Sequence, residues 1–353
     1  MRDSLLSERM EHLEQARELH QKHPVADAHF DLAAEVYARR MAGERNIVKD
    51  RYLRHFRKAG CSIIVSSVFV YTKDLKERGL QTALAQIGAL REDLDTVSDE
   101  ICVIGSGKEL DTALEKGKIA VLLSMEGLDP IGTDLHLLRV FYDLGVRGAG
   151  LTWSRPNAFG TGCCRADEME EIPGGLTDLG KEAIRRMEAL GMYLDVSHLN
   201  NEGFADVLKC AKAPFIASHS NAWEICRNYR NLRDDQIQAL AERGGVIGLN
   251  ANCCIAGAVP GDKSGALLRL CEHVEHLVSM AGVCHVGYGF DLCDGLDAAM
   301  AGTKVSPDPG DLLKNHEEAM ELTAALLSRG MEEEAVMGII GGNFLEFFRR
   351  VLR

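Results

Sequence analysis

The stretch MYLDVSHLNNEGFADVLKCAKAPFIASHS, residues 192–220, decides the fold, because it predicts a strand, a helix and a second strand. Each apolar strand run ends in a histidine, His198 in the first and His219 in the second. An imidazole at the end of a buried strand is costly to desolvate unless it has a partner. Successive parallel strands end at the same rim of an α/β fold, so the two histidines are expected to point at one place.

The same alternation of strand and helix extends along the chain. Several apolar segments are continuous Val, Ile, Leu and Ala runs, as expected for parallel strands buried on both faces. The eight predicted strands are residues 25–32, 62–71, 119–125, 148–153, 192–198, 215–219, 246–251 and 285–291. Helices are predicted at the N-terminus (5–20), before Gly191 (176–190) and near the end of the chain (312–329 and 332–350).

Eight βα units favour an α/β fold of the (β/α)8 TIM-barrel type over an open doubly wound sheet. No linker rich in Pro or Ser and no repeat divides the sequence. We therefore expect one domain over residues 1–353, with residues 1–23 as an N-terminal helical extension and closing C-terminal helices. The loop-like stretches 155–175 and 254–265 follow predicted strands, which places them on the face where barrel active sites lie.

Composition excludes several classes of partner. The 353 residues are 46% hydrophobic, and 40 basic against 53 acidic residues give a net charge of −13 without a basic cluster. Nucleic acid and anionic membranes are therefore not expected partners. The charged first residues do not resemble a secretory signal, and the eleven cysteines form no CxxC pair, so we expect a cytoplasmic protein with reduced thiols. A metal or redox role for the pairs Cys163-Cys164 and Cys253-Cys254 stays open.

Further ionisable residues lie at other predicted strand ends. The first strand contains His29-x-Asp31, the third is followed by Glu126, and the last ends in Asp291. Alternation directs His29 and Asp31 to one side of their strand. Each group alone is typical of an ordinary structural residue, but so many at one rim would be expensive to desolvate without a partner. Three histidines and two of these carboxylates suit Zn²⁺ or a similar ion, and they suffice for two metals ~3.5–4 Å apart. By contrast, His273 and His276 lack the HExxH order, and we expect them on a solvated helix face.

These residues and their context resemble the membrane dipeptidase (renal dipeptidase) family, peptidase family M19, from about Val25 to Phe348. The resemblance rests on eight motifs in order, namely DAHFDL (27–32), MEG (125–127), GLTDLG (175–180), LDVSH (194–198), SHS (218–220), RNLRDD (230–235), HVGYGFD (285–291) and GGNF (341–344).

The resemblance implies roles for some residues of these motifs and for Trp153. His29 and Asp31 would hold one zinc, His198 and His219 the other, and Glu126 would bridge the two, with Mn or Co as substitutes. Asp291 would accept the proton of the attacking water and pass it to the leaving amine. The substrate-binding residues would be Arg230 on the substrate carboxylate, with Asn231 and Trp153. A homodimer is also expected by family analogy.

Two departures from the family pattern bear on the chemistry. Trp153 stands where the family commonly has a histidine that stabilises the oxyanion, so the donor could be the Trp153 indole, Arg155 or Asn157, unless Trp153 only packs at the rim. The last motif reads Asp291-Leu292-Cys293-Asp294-Gly295, one residue longer than the family version, which leaves Asp294 as an alternative catalytic carboxylate.

We therefore expect a zinc-dependent dipeptidase that hydrolyses small dipeptides, including those with a D-residue at the C-terminal position. One alternative is a binuclear metallohydrolase of another small amide, lactam or amino-acid conjugate. The other is a catalytically silent metal-binding homologue.

Overall fold

The computed structural model describes residues 2–163 and 172–352, which form an α/β fold with parallel sheets. The strands are β1 Val25–Phe30, β2 Cys61–Phe69, β3 Ile101–Ile104, β4 Ile119–Glu126, β5 Val146–Gly150, β6 Tyr193–Asp195, β7 Ile247–Leu249 and β8 Val286–Tyr288. The α-helices are α1 Arg2–Lys22, α2 Leu32–Met41, α3 Leu53–Ala59, α4 Leu75–Leu94, α5 Gly107–Glu115, α6 Leu137–Asp143, α7 Asp178–Leu190, α8 Asn201–Cys210, α9 Asp234–Glu242, α10 Cys253–Ala256, α11 Lys263–Ala281, α12 Asp294–Ala301, α13 Ala319–Ser328, α14 Glu333–Met337 and α15 Asn343–Val351.

The strands build a parallel half-barrel. The larger sheet has the order β1-β2-β4-β5-β6, with β3 also paired to β4, and β7 pairs with β8 in a second sheet. Single parallel bridges join Asp195 to Ile216 and Ala217 to Ile247, so the segment between β6 and β7 links the two sheets. On the other side, the amide of Asp291 donates to the carbonyl of His29 at 3.1 Å.

Seven of the predicted strands are confirmed, mostly at shorter lengths, and one strand was missed. β3 contains only four residues and pairs with Ile119–Leu122 of β4, whereas β5 pairs with residues 123–125 of the same strand. Because β3 lies beside the N-terminal half of β4, it is distant from the rim where the predicted site residues lie.

The predicted strand 215–219 is wrong as a regular strand, since only Ile216 and Ala217 make bridges. The amide of Ser218 donates to Asp195 Oδ1 at 3.0 Å, and the amide of His219 donates to Ser197 Oγ at 3.1 Å. Side chains from the end of β6 therefore take the hydrogen bonds that a strand would give to its neighbours, and the backbone turns at His219.

The helices follow the sequence pattern more closely before Gly191 than at the C-terminus. The predicted helix 176–190 is confirmed as α7, which is capped by Thr177 and ends at Gly191 with φ +81°. The predicted helices 312–329 and 332–350 are shorter and interrupted, and among the described residues no helix has the length and apolarity needed to span a membrane.

One core cluster lies between the sheet and α15. It contains alternate residues of the first strands together with aromatic side chains of α15, namely Ala26, Ala28, Ile63, Val65, Ala120, Leu122, Phe344, Phe347 and Phe348. The expectation that His273 is solvated is wrong. His273 is completely buried, where its Nε2 lies 3.0 Å from the carbonyl of Ala256.

Candidate functional site

The predicted site residues meet at the C-terminal rim of the strands. His29 is in β1 with Asp31 directly after it, Glu126 is the last residue of β4, and Asp291 follows β8. His198 and His219 follow β6 and the bridged pair Ile216-Ala217. Parallel strands bring these ends together although the residues span most of the chain.

Glu126 lies at the centre of the cluster. Its Oε1 is 2.7 Å from His198 Nε2 and 3.6 Å from His219 Nε2. Its Oε2 is 3.6 Å from His29 Nε2. The two carboxylate oxygens of Glu126 therefore face different histidines.

The second half of the cluster surrounds His29. Its Nε2 lies 3.9 Å from Asp31 Oδ1 and 3.8 Å from Asp291 Oδ1. Two overlapping groups of donor atoms are close enough to hold a metal ion, His29 with Glu126 and His219, and His29 with Asp31 and Asp291. The arrangement thus offers nitrogen and oxygen donors close enough to hold a metal ion, and such donors suit Zn²⁺.

The nitrogen that the two groups share, His29 Nε2, is left unsatisfied in the part of the chain that the structure describes. His29 Nε2 is buried and, within residues 2–163 and 172–352, has no hydrogen-bond partner. Buried polar atoms are rarely left in this condition without an ion or a water to satisfy them. This orphaned nitrogen, facing three carboxylates, fits a metal-binding role.

The electrostatics of the cluster favour positive charge. Burial opposes a charged imidazole, but Glu126, Asp291 and Asp31 outweigh it and raise the pKa of His29 to about 10. Burial raises the pKa of Asp31 well above its usual range, and the charge of Glu126 adds to this shift. For Glu126, burial is outweighed by the surrounding histidines, which hold its pKa well below the usual range. The same field attracts a divalent cation.

His219 is held in the tautomer that can ligate a metal. Ser218 Oγ donates to Asp195 Oδ2, so its single proton is already used. The same oxygen lies 2.6 Å from His219 Nδ1 and must accept from it, which assigns the ring proton to Nδ1 and leaves the Nε2 lone pair directed at Glu126. Burial and the charge of His29 lower the pKa of His219 well below its usual value, so the ring is neutral.

His198 has a similar support. Its Nδ1 lies 3.0 Å from Ser154 Oγ, and its Nε2 lies 2.9 Å from His219 Nε2. Burial, with Arg230 nearby, lowers the pKa of His198 to about 4. Two neutral imidazoles and a carboxylate therefore converge on one point, where a cation can satisfy their lone pairs.

Asp291 adopts an unusual backbone conformation. Its φ is +58°, a left-handed value that is uncommon outside glycine. Asn250 Nδ2 donates to its Oδ2 at 2.9 Å, and Oδ1 faces His29. The alternative carboxylate, Asp294, instead accepts the amide of Gly310 at 2.8 Å, which makes it part of the following turn.

A pocket of about 490 Å³ opens beside the cluster. Phe69, Tyr71 and Trp153 line one part, and Arg230 lines another. Arg230 is buried, and among the described residues its guanidinium donates only to neutral groups, Ser220 Oγ at 3.5 Å and the carbonyl of His219 at 3.2 Å. A buried guanidinium paired only with neutral groups is suited to a carboxylate ligand.

Of the residues that follow β5, Trp153 lines the pocket, whereas Arg155 and Asn157 bind Asp129. The Trp153 ring lies 5.9 Å from the His198 ring and 5.1 Å from the Phe69 ring. Arg155 contacts Asp129 at 3.3 Å, and Asn157 donates to Asp129 Oδ2 at 3.1 Å. Asp129 therefore engages both alternative oxyanion donors, and Trp153 is the one of the three that faces the pocket.

Other predicted residues lie outside the cluster. Asn231 is not among the pocket residues, since it donates to the carbonyls of Cys226 and Ile255 at 2.8 Å and accepts the amide of Asn221. Its position supports the turn behind Arg230 and does not favour the expected contact with substrate. Cys254 lines the pocket 3.7 Å from Cys253 Sγ, whereas Cys164 lies outside the described residues.

Several residues that organise the site were not predicted. Ser154 contacts His198, Asn250 donates to Asp291, and Cys293 touches Asp291. Asp195 accepts from Ser218, whose hydroxyl in turn contacts His219. Asp195 was part of a quoted motif, LDVSH, but the sequence did not indicate its partner 23 residues later. No local sequence pattern indicates the contact of Ser154 with His198 or that of Asn250 with Asp291.

Comparison with known proteins gives a consistent result. The family model for membrane dipeptidases (peptidase family M19) matches residues 13–353. An uncharacterised dipeptidase of Schizosaccharomyces pombe is 35% identical over 240 residues, which is 66% of this chain and 53% of the yeast protein. The chain thus spans about half the length of that curated relative.

Two solved structures are similar over nearly their whole length. A metallopeptidase of family M19, dipeptidase AC, has a TM-score of 0.79 at 25% identity and covers 93% of this chain and 98% of its own. A metallopeptidase from Rhodobacter sphaeroides, liganded with a phosphinate mimic of the dipeptide L-Ala-D-Ala, has a TM-score of 0.76 at 26% identity, covering 93% and 99%.

Proposed function

The chain belongs to the membrane dipeptidase family (peptidase family M19), and on this premise we propose that it is a zinc-dependent dipeptidase. One observation carries the proposal. Glu126 lies between two sets of donors, with one carboxylate oxygen toward His198 and His219 and the other toward His29. A pocket that contains a buried guanidinium adjoins them. This combination is suited to hydrolysis of a small amide that carries a free carboxylate.

We propose that the cluster holds two zinc ions, for which Mn or Co can substitute. His29 and Asp31 would bind one ion, and His198 and His219 the other, with Glu126 shared between them. Bound divalent ions supply a Lewis acid that polarises the scissile carbonyl and makes water more acidic. The orphaned nitrogen of His29 and the tautomer of His219 support this assignment.

The proton transfers are assigned to Asp291. It would accept the proton of the attacking water through Oδ1 and deliver it to the leaving amine, while Asn250 holds Oδ2. Burial raises the pKa of this carboxyl and Glu126 adds to the shift, which makes Asp291 a better base than a solvated aspartate. Trp153 would donate its indole N–H to the developing oxyanion from the pocket wall.

The substrate is proposed to be a dipeptide, with the configuration L,D among those accepted. Arg230 would bind the C-terminal carboxylate, and a pocket of about 490 Å³ limits the length of the ligand. The L-Ala-D-Ala mimic bound by the Rhodobacter sphaeroides protein supports the choice of substrate. The aromatic wall of Phe69, Tyr71 and Trp153 favours a second candidate, hydrolysis of an amide or lactam that carries an apolar group.

We also propose that the half-barrel closes into a (β/α)8 barrel. The bridges at Ile216 and Ala217 and the hydrogen bond from Asp291 to His29 support closure at both junctions of the two sheets. The homodimer, the single domain and the cytoplasmic location stay predictions.

A substrate panel tests the proposal. The zinc-loaded protein should hydrolyse L-Ala-D-Ala and L-Ala-L-Ala, but not the same dipeptides with an amidated C-terminus. The variant Arg230→Lys should lose about 10–100-fold in kcat/KM on the free dipeptides, because a point charge replaces a planar bidentate donor. No turnover of any dipeptide with Zn²⁺, Mn²⁺ or Co²⁺ would refute the dipeptidase assignment, and turnover of lactams or other amides only would favour the second candidate.

A further inference from the structure

Cys293 places a thiol directly beside the cluster. It lies in the turn between β8 and α12, and it lines the same pocket as Asp31 and Asp291. Its Sγ is 3.2 Å from Asp291 Oδ1 and 3.9 Å from Asp31 Oδ2. The thiol is therefore adjacent to two of the three carboxylates that face His29, those of Asp31 and Asp291.

The turn that carries Cys293 is firmly held. The amides of Cys293 and Asp294 each donate to one carboxylate oxygen of Asp311 at 3.0 Å. Asp294 in turn accepts the amide of Gly310 at 2.8 Å. The sulfur thus has a fixed position, which a ligand must have if it is to bind a metal without reorganisation.

A second observation points to a ligand at this place. His29 Nε2 is buried, faces the same two carboxylates, and has no hydrogen-bond partner among the described residues. Zinc–oxygen bonds of ~2.0–2.2 Å and zinc–sulfur bonds of ~2.3 Å place the oxygen and sulfur ligands of one tetrahedral ion about 3.6 Å apart. Cys293 Sγ lies 3.2 Å from Asp291 Oδ1 and 3.9 Å from Asp31 Oδ2, one distance below that spacing and one above it.

We propose that Cys293 is a sulfur ligand of the ion that His29 and Asp31 hold. The proposal rests on the metal centre proposed above. The thiol proton passes to solvent as the metal–sulfur bond forms, so the bond adds one thiolate to the nitrogen and oxygen donors. A soft thiolate favours Zn²⁺, Co²⁺ and Cd²⁺ over Mn²⁺, so this ligand would bias the metal preference of this ion.

Cobalt substitution tests the proposal by spectroscopy. The full chain is loaded with two equivalents of Co²⁺, and bound cobalt is counted by metal analysis after gel filtration. The wild type should show a sulfur-to-cobalt charge-transfer band in the near ultraviolet in addition to the visible cobalt bands. The band should disappear in Cys293→Ser and persist in Cys254→Ser, a matched control for the other pocket cysteine.

The outcomes separate this proposal from the proposed function. If cobalt does not bind at the cluster, the metal centre itself is refuted. If cobalt binds without the band, or the band survives in Cys293→Ser, only the role of Cys293 is overturned. Should Cys293→Ser fail to fold, X-ray absorption of the zinc-loaded wild type and Cys254→Ser decides, since a sulfur at ~2.3 Å in both supports the ligand and its absence overturns it.

Discussion

Removing one hydroxyl should weaken one of the two proposed metal sites. In Ser218→Ala, the His219 Nδ1–H loses the oxygen that accepts from it and that links it to Asp195. Partners of this kind that orient a metal-binding histidine contribute about 10–100-fold to metal affinity. At about 1.4 kcal/mol for each factor of ten, the expected loss is roughly 1.4–2.8 kcal/mol of binding free energy.

The fold should tolerate this substitution. Asp195 keeps its hydrogen bonds from the amide and hydroxyl of Ser197, at 3.0 and 2.7 Å, and from the amide of residue 218 at 3.0 Å. The free energy of unfolding should fall by about 2–3 kcal/mol, because the substitution removes the two buried hydrogen bonds that Ser218 Oγ makes with Asp195 and His219. A loss of this size leaves a domain of ordinary stability folded, so the zinc titration compares two folded proteins.

The assay is a competition titration of Zn²⁺ against a chelator, which resolves the two binding steps. One step should weaken and the other should stay unchanged. Ser62→Ala is the matched control, because within residues 2–163 and 172–352 Ser62 Oγ donates only to the carbonyl of Gly60, away from the cluster. Equal zinc affinities in Ser218→Ala and the wild type would refute the reasoning about the tautomer of His219.

Three other perturbations have definite expected results. Asp291→Asn should lower kcat by about 10²–10⁴-fold with both metals retained, whereas Asp294→Asn should chiefly destabilise the turn, so steady-state kinetics that show the reverse would exchange their roles. Trp153→Phe should lower kcat by about 10²-fold with little change in KM, and an unchanged kcat would mean that the ring only packs. Burial lowers the pKa of both His20 and His273 to about 4, so the unfolded chain binds more protons below pH 6.5. Stability should therefore fall by about 2 kcal/mol per histidine between pH 7 and pH 5, and urea unfolding of His20→Gln should show a smaller loss than the wild type.

The sequence predicted the strands that depend on local pattern and missed those that depend on neighbours. β2 and β4 were predictable from their continuous apolar runs, which arise because both faces of these strands are buried. β3 has only four residues in a polar context, which is too short for a periodic pattern. The strand predicted at 215–219 ends early because Asp195 and Ser197 take the amides of Ser218 and His219.

In the candidate site too, features that follow from local sequence were predicted, and features that depend on neighbours in the fold were not. The rim positions of His29, Glu126 and His219 follow from strand ends, which the sequence indicates directly. The engagement of Arg155 and Asn157 by Asp129 depends on a residue 26 to 28 positions away, and no local pattern reveals it. The sequence therefore predicted which residues meet, but it could not predict which of the neighbouring polar groups were already bonded elsewhere.

Anomalous diffraction from zinc-loaded crystals with a phosphinate dipeptide mimic would test the central claim most directly. We expect two zinc peaks, one contacting His29 and Asp31 and the other contacting His198 and His219. Glu126 should contact both peaks, and the carboxylate of the mimic should lie on Arg230. A single peak, or peaks that do not touch these residues, would contradict the two-metal dipeptidase.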